Sequence, residues 1–193
     1  MINLTPRKST QNELTKAVIL DAARDLFASE GYASLSMRKI ANVLKCSHGA
    51  IYYHFKNKAE LFYEIISTDF EKLDQELYDV MNDDQSEKDE KLFNVLYRYI
   101  KFGLTNQNHY EVMFLLRDDD VKSYLQEGPN KSLQLFGETV GSLVSKRLTS
   151  KDVYSLFLSL HGFVTHFCRT ETTFEDIEDL ARAHVLFLIK ALQ

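Results

Sequence analysis

Ser47-His48-Gly49-Ala50-Ile51-Tyr52-Tyr53-His54-Phe55-Lys56-Asn57-Lys58 is the stretch on which the fold turns. It is aromatic and basic and contains no acid. Ser47 is a favoured N-cap type, and the run behind it predicts a short helix over about 47–54. Upstream, Ser36 is a second N-cap. Met37, Ile40, Ala41 and Leu44 behind it give a helix over about 36–43 with one apolar face. Leu44-Lys45-Cys46 leaves room only for a turn. Two short capped helices joined by a tight turn form a helix-turn-helix unit.

Working outward, Thr10-x-x-Glu13 has the form of a capping box. Ile19, Leu20, Ala23, Leu26 and Phe27 follow at helical spacing, with Gly31 as the stop. This predicts a first helix from about 11 to 29. Ala41 is small enough for a close helix crossing, and Ile40 and Ile51 are expected in a core shared with that helix. On the other side, Asn57-x-x-Glu60 caps a fourth helix over about 58–81. Its apolar stripe (Leu61, Phe62, Ile65, Ile66, Phe70, Leu73, Leu77, Val80) outlasts a head of this size, so it continues into a second domain. The expected domains are 11–58 and 59–193.

Charge divides the chain in the same place. Residues 1–58 carry nine Lys or Arg and four acids, a balance of +5, and the remainder carries −10. A basic head on an acidic body suits a polyanion at one end only. Two prolines and seven glycines in 193 residues favour an all-α fold. No apolar run reaches the ~18 residues of a membrane span. The start has no apolar signal core, and two distant cysteines make no disulfide framework, so a cytoplasmic location is expected.

The body reads as helices over about 87–106, 108–117, 130–147, 151–169 and 174–192. A charged linker lies at 82–86, and 118–129 is irregular or holds one short helix. Helix 151–169 follows the capping pattern Thr149-x-x-Asp152 and is apolar nearly all round. It therefore requires burial on all sides, either by its own domain and a second subunit or as the central core helix of a monomer. Tyr154, Leu158, Phe163, Phe167 and Leu188 are the expected dimer contacts. The body is also rich in Phe, Tyr and Met, including Phe157. Of these, Phe102, Tyr110, Met113, Phe114 and Phe136, with His161 and His166 as polar anchors, are the expected lining of an effector pocket.

The head resembles the tetracycline-repressor (TetR) family of bacterial transcriptional regulators. The matching residues are 19–27, Glu30-Gly31-Tyr32, 36–41 and 47–61, with Ile51-Tyr52-Tyr53-His54-Phe55-x-x-Lys58 the most specific run. The resemblance covers about the first third of the chain. It implies a homodimer that reads a palindromic operator in double-stranded DNA, usually a repressor released by a small molecule. Carried over by position, Ser36 and Arg38 contact the backbone or nearby bases. His48, Gly49, Ala50 and Tyr52 face bases, and Tyr53, His54 and Lys58 contact phosphates. His48 departs from the family's usual Lys.

The residues support the same roles independently. Ser36, Ser47 and Lys58 supply donors for phosphate at helix starts. Gly49 costs its helix about 1 kcal/mol, which a close backbone approach to DNA would explain. No Gly-rich phosphate loop, nucleophile elbow or carboxylate pair points to catalysis, so no enzyme activity and no cofactor are expected. Of His161, His166, Cys168 and His184, His161 and Cys168 share a face but lie ~10 Å apart along the helix, too far for one ion, and no metal is expected. The alternatives are a helical ligand-binding or interaction module that does not bind DNA, and a regulator controlled by a protein partner or by Cys46 oxidation.

Overall fold

The computed structural model describes residues 14–30, 34–115 and 127–192. The chain divides into two compact units, Met1–Leu61 and Phe62–Gln193. Among the described residues all regular structure is helical.

The first unit holds α1 (Lys16–Glu30), α2 (Met37–Val43), α3 (His48–His54) and the first turn of α4 (Lys58–Met81). α1 starts later than the sequence suggests. Residues 14 and 15 are coil, and Thr15 Oγ1 accepts the Val18 N–H at 3.3 Å in the manner of a cap. Thr10, Glu13 and Gly31 lie outside the described residues. Ile19, Ala23 and Phe27 of α1 are buried, as are Ile40 and Ala41 of α2, Ile51 of α3 and Phe55 after it. Ile19, Ile40 and Ile51 are fully buried. Lys16 sits 5.2 Å from the centre of the Phe55 ring, closing the edge of this core with a cation.

α2 stops in a Schellman turn. The Cys46 N–H bonds Ala41 O at 3.0 Å and the Lys45 N–H bonds Asn42 O at 3.2 Å. That geometry puts Lys45 at φ 51°, a left-handed conformation that disfavours any side chain. Lys45→Gly is therefore expected to stabilise the protein by roughly 0.5–1 kcal/mol, read as a higher denaturation midpoint at unchanged slope.

The second unit holds the rest of α4 with α5 (Lys88–Thr105), α6 (Gln107–Tyr110), α7 (Glu127–Leu143), α8 (Ser150–Phe167) and α9 (Glu178–Leu192). α6 runs into a π turn, Glu111–Leu115, and a 3-10 turn, Glu175–Ile177, leads into α9. The central helix is α5, not α8. It packs on α7, α8 and α9 and buries Leu92, Val95, Leu96, Tyr99 and Ile100.

Within the chain α8 is covered on one side only. It buries one stripe, Leu156, Leu160 and Val164. Tyr154 and Leu158 stay 52% and 47% exposed. The bounds of α7 differ from the expected 130–147: it begins at Glu127 and ends at Leu143. Pro129 falls in its first turn, where a missing N–H breaks no helical bond. At the other end the chain leaves the helix to form the Thr149–Asp152 capping box of α8. The remainder of 118–129 lies outside the described residues.

Candidate functional site

Two sites stand out, one in each unit. In the first, local hydrogen bonds fix the helix starts. Ser36 Oγ accepts the Lys39 N–H at 3.2 Å, and Ser47 Oγ accepts the Ala50 N–H at 3.1 Å. Each cap uses the oxygen as acceptor, so its hydroxyl proton remains available to a phosphate. The start of α4 is occupied differently. Asn57 Oδ1 accepts the Glu60 N–H at 2.8 Å, and the Glu60 carboxylate accepts the Lys56 N–H at 2.5 Å. This leaves less of that helix terminus for an external anion than Lys58 alone suggested.

α3 buries only Ile51 and turns its other face outward. His48, Gly49, Tyr52 and Tyr53 are exposed, Ala50 and His54 less so. Tyr53 is 87% exposed and Tyr52 45%. Their rings are ordered by neighbours on the same helix: His48 meets Tyr52 edge-on at 4.7 Å, and Tyr53 meets His54 edge-on at 5.2 Å. A Cβ on Gly49 would meet nothing closer than Ser47 Oγ at 4.0 Å, so packing within the protein does not require glycine there. Arg38, on the outer face of α2, is exposed as well.

In the second unit, α4, α5, α7 and α8 enclose a cavity of about 180 Å³. α4 supplies Phe70, Leu73 and Leu77, and α5 supplies Tyr99. The π turn adds Phe114, α7 adds Ser132, Leu133 and Phe136, and α8 adds Tyr154 and Phe157. Of the residues expected to line a pocket, Phe114 and Phe136 do so. Phe102 and Met113 are buried in the core instead. Tyr110 is fully buried behind the wall, with its ring centroid 4.7 Å from that of Phe114. His161 also stands behind it, its ring stacked on Phe157. His166 is exposed and packs edge-on against Phe167. Five wall residues expected only as core or interface, Phe70, Leu73, Leu77, Tyr99 and Tyr154, face the cavity, and Ser132 was not singled out by sequence at all.

Beneath the wall runs a polar chain. The Tyr99 and Tyr110 hydroxyls are 3.0 Å apart, and the Tyr110 hydroxyl is 2.6 Å from His161 Nδ1. Burial pushes the His161 pKa below its ordinary value, so the ring is neutral at pH 7. An imidazole with Nδ1 unprotonated accepts a hydrogen bond from the Tyr110 hydroxyl, and the Tyr110 oxygen in turn accepts from Tyr99. Burial raises both phenols, which stay protonated. Nearby, Ser132 Oγ donates to Asp74 at 2.5 Å. Burial, with Glu71 beside it, raises Asp74 above the usual carboxylate range despite that bond.

α8 and α9 keep exposed apolar side chains: Tyr154 and Leu158 on one, Leu180, Leu186 and Phe187 on the other. Phe187 is 70% exposed. Phe163 and Phe167 are half-buried, and Phe163 stacks on His184. Leu188 is buried within the chain, because its turn of α9 faces inward.

Comparison with known proteins places the first unit. Residues 19–65 match the family model described as bacterial regulatory proteins, tetR family. Over that head the chain is similar to this family. The HTH-type transcriptional regulator AcrR of Shigella flexneri is 45% identical over 60 residues, 31% of this chain and 28% of that protein. The match thus spans less than a third of that relative's length. A likeness in fold extends over most of the chain. The transcriptional regulator FadR from Bacillus subtilis, solved in complex with stearoyl-CoA, superposes with a TM-score of 0.76 at 19% identity. That likeness covers 93% of this chain and all of the other. FadR from Bacillus halodurans gives 0.72 at 19% identity, over 97% and 99% of the two chains.

Proposed function

We propose that the protein is a DNA-binding transcriptional regulator, a homodimeric repressor released from a palindromic operator by a small, largely apolar effector. The observation that carries the reading is the outward face of α3. A seven-residue helix held by one buried side chain presents His48, Gly49, Tyr52 and Tyr53 to solvent at the basic end of an acidic chain. Ser36, Arg38, Ser47, Ala50, His54 and Lys58 border it as backbone and base contacts. The uncovered apolar side chains of α8 and α9 suit a second copy, and two heads in a two-fold dimer meet successive major grooves ~34–36 Å apart.

The cavity in the second unit is the proposed effector site. α4 carries residues of both units and also borders the cavity, so a ligand that displaces Phe70, Leu73 or Leu77 moves a helix that begins beside α3. Its volume limits the effector. A cavity of about 150 Å³ holds a benzene ring, so 180 Å³ takes a ring or short chain rather than a long acyl chain like that in the FadR complex.

The reading is tested by selecting bound sequences from a random duplex pool, then screening for compounds that release them. A palindromic consensus is expected, and no salt-dependent binding at low ionic strength refutes the reading. In the same assay, His48→Ala is expected to change base preference at one position of each half-site by about 1 kcal/mol or more, because His48 is the one exposed side chain on the leading turn of α3 with both donor and acceptor capacity.

A further inference from the structure

The hydroxyls in the wall of the cavity have already spent their protons. Among the described residues that line it there is no carboxylate, lysine, arginine or histidine. The polar side chains are Tyr99, Ser132 and Tyr154. Tyr154 is half exposed and lies on the face left to a second copy. The inner wall therefore has two hydroxyls, Tyr99 and Ser132, both on buried residues.

Each of the two donates away from the cavity. Ser132 Oγ gives its proton to Asp74 Oδ1 at 2.5 Å, and Asp74 is not itself a lining residue. Tyr99 begins the chain that runs through the Tyr110 hydroxyl to His161 Nδ1, in steps of 3.0 and 2.6 Å. The direction of that chain follows from its far end. A phenol is the stronger donor and a neutral imidazole nitrogen the stronger acceptor, which assigns the proton between them to Tyr110. The Tyr110 oxygen then has no proton left for Tyr99 and receives the one that Tyr99 holds. Tyr99 and Ser132 keep lone pairs for a guest and no proton.

This pattern narrows the guest. Its body suits a ring: Phe70 and Phe114 meet edge-on at 5.3 Å, and Phe136 and Phe157 each lie 6.2 Å from the Tyr99 ring. An aromatic guest finds faces and edges on several sides. An ionised group would be buried with no counter-ion on the wall. A nitrile, ether or carbonyl would face oxygens that have no hydrogen to offer, and would lose its bond to water without replacement. An O–H or N–H on the ring exchanges a bond to water for one to a wall oxygen.

We propose that the cavity is a site for an uncharged monocyclic arene with one hydrogen-bond donor, a phenol or an aniline, whose O–H or N–H is accepted by Ser132 Oγ or the Tyr99 oxygen. The proposal rests on the reading of the cavity as the effector site, and it names the chemical class within that reading.

The test uses three probes of similar size, phenol, benzonitrile and benzoate, titrated calorimetrically into the full-length protein at pH 7, where phenol stays protonated. Phenol is expected to bind at least about tenfold more tightly than benzonitrile, which only accepts, and at least about a hundredfold more tightly than benzoate. Ser132→Ala and Tyr99→Phe each remove one acceptor oxygen. At least one of them should lower phenol affinity about fivefold and leave benzonitrile unchanged, the second probe showing that the cavity is intact. Benzonitrile or benzoate binding as tightly as phenol overturns the proposal, and this comparison needs no variant. Phenol affinity unchanged in both variants overturns it too, as do equal losses of phenol and benzonitrile in both. Binding of none of the three removes the site for a small arene, and the release screen then decides the effector reading separately.

Discussion

Replacing Tyr53 with alanine is expected to weaken operator binding by about tenfold and to leave thermal unfolding unchanged. The two halves of that expectation have different origins. Among the described residues of the first unit Tyr53 is the most exposed large hydrophobic side chain, and its ring meets His54 on the same helix. Its removal uncovers no core and opens no cavity, so surface-like stability changes within about 0.5 kcal/mol follow. A hydrogen bond from a phenol to a charged phosphate is worth about 1.5–3 kcal/mol, which is a factor of ten or more. Tyr53→Phe separates ring from hydroxyl. If the hydroxyl carries the contact, Phe is as weak as Ala. The measurements are fluorescence anisotropy with the selected duplex and differential scanning calorimetry. Undiminished binding by both variants would remove Tyr53 from the interface, and a lowered unfolding temperature would show that its exposed ring supports the fold.

The contrast between Tyr53 and Ile51 shows what the sequence makes legible. Adjacent residues on a helix point about 100° apart, so one buried position at Ile51 dictates an outward face two residues later. The same local logic places the caps at Ser36, Ser47, Asn57 and Thr149, each of which makes a side-chain bond to an N–H three residues on. Local signals also fail locally. Thr15 begins α1 where Thr10 had the stronger pattern, and nothing in residues 107–115 announces that a helical turn gives way to a π turn. That turn matters, because it carries Phe114 to the cavity wall.

The cavity lies beyond sequence reading for a further reason. Its polar contacts join residues far apart in the chain: Ser132 with Asp74, 58 positions away, and Tyr110 with His161, 51 away. Periodicity tells which face of a helix is apolar but not whether that face meets a neighbour or a void. Phe70, Leu73 and Leu77 belong to the same stripe as Phe62 and Ile65. Only the placement of α7 and α8 opposite them decides that three of the five border empty space.

Gly103 gives the second large effect. It lies in the buried face of α5, where a Cβ would fall 2.6 Å from Val164 Cγ1 and 2.9 Å from Tyr110 Cδ2. Alanine is the better helix former by about 1 kcal/mol, so propensity alone predicts stabilisation. Packing decides otherwise. The β-branched Val164 has a stiff χ1 and is fully buried, and Tyr110 is held by hydrogen bonds on both sides of its hydroxyl. Neither neighbour gives way cheaply, and overpacking of this kind costs about 1–3 kcal/mol. Gly103→Ala is therefore expected to lower stability by about 2 kcal/mol in urea denaturation. The cause is checked by a double-mutant cycle. Val164→Ala alone costs about 2 kcal/mol through the cavity it leaves, but it also removes the methyl groups that the new Cβ meets. The double variant should then be more stable than the sum of the single losses by 1 kcal/mol or more. Strict additivity would mean that α5 and α8 separate freely at this crossing. In that case Gly103 would not be what holds Tyr110 in reach of His161 behind the cavity wall.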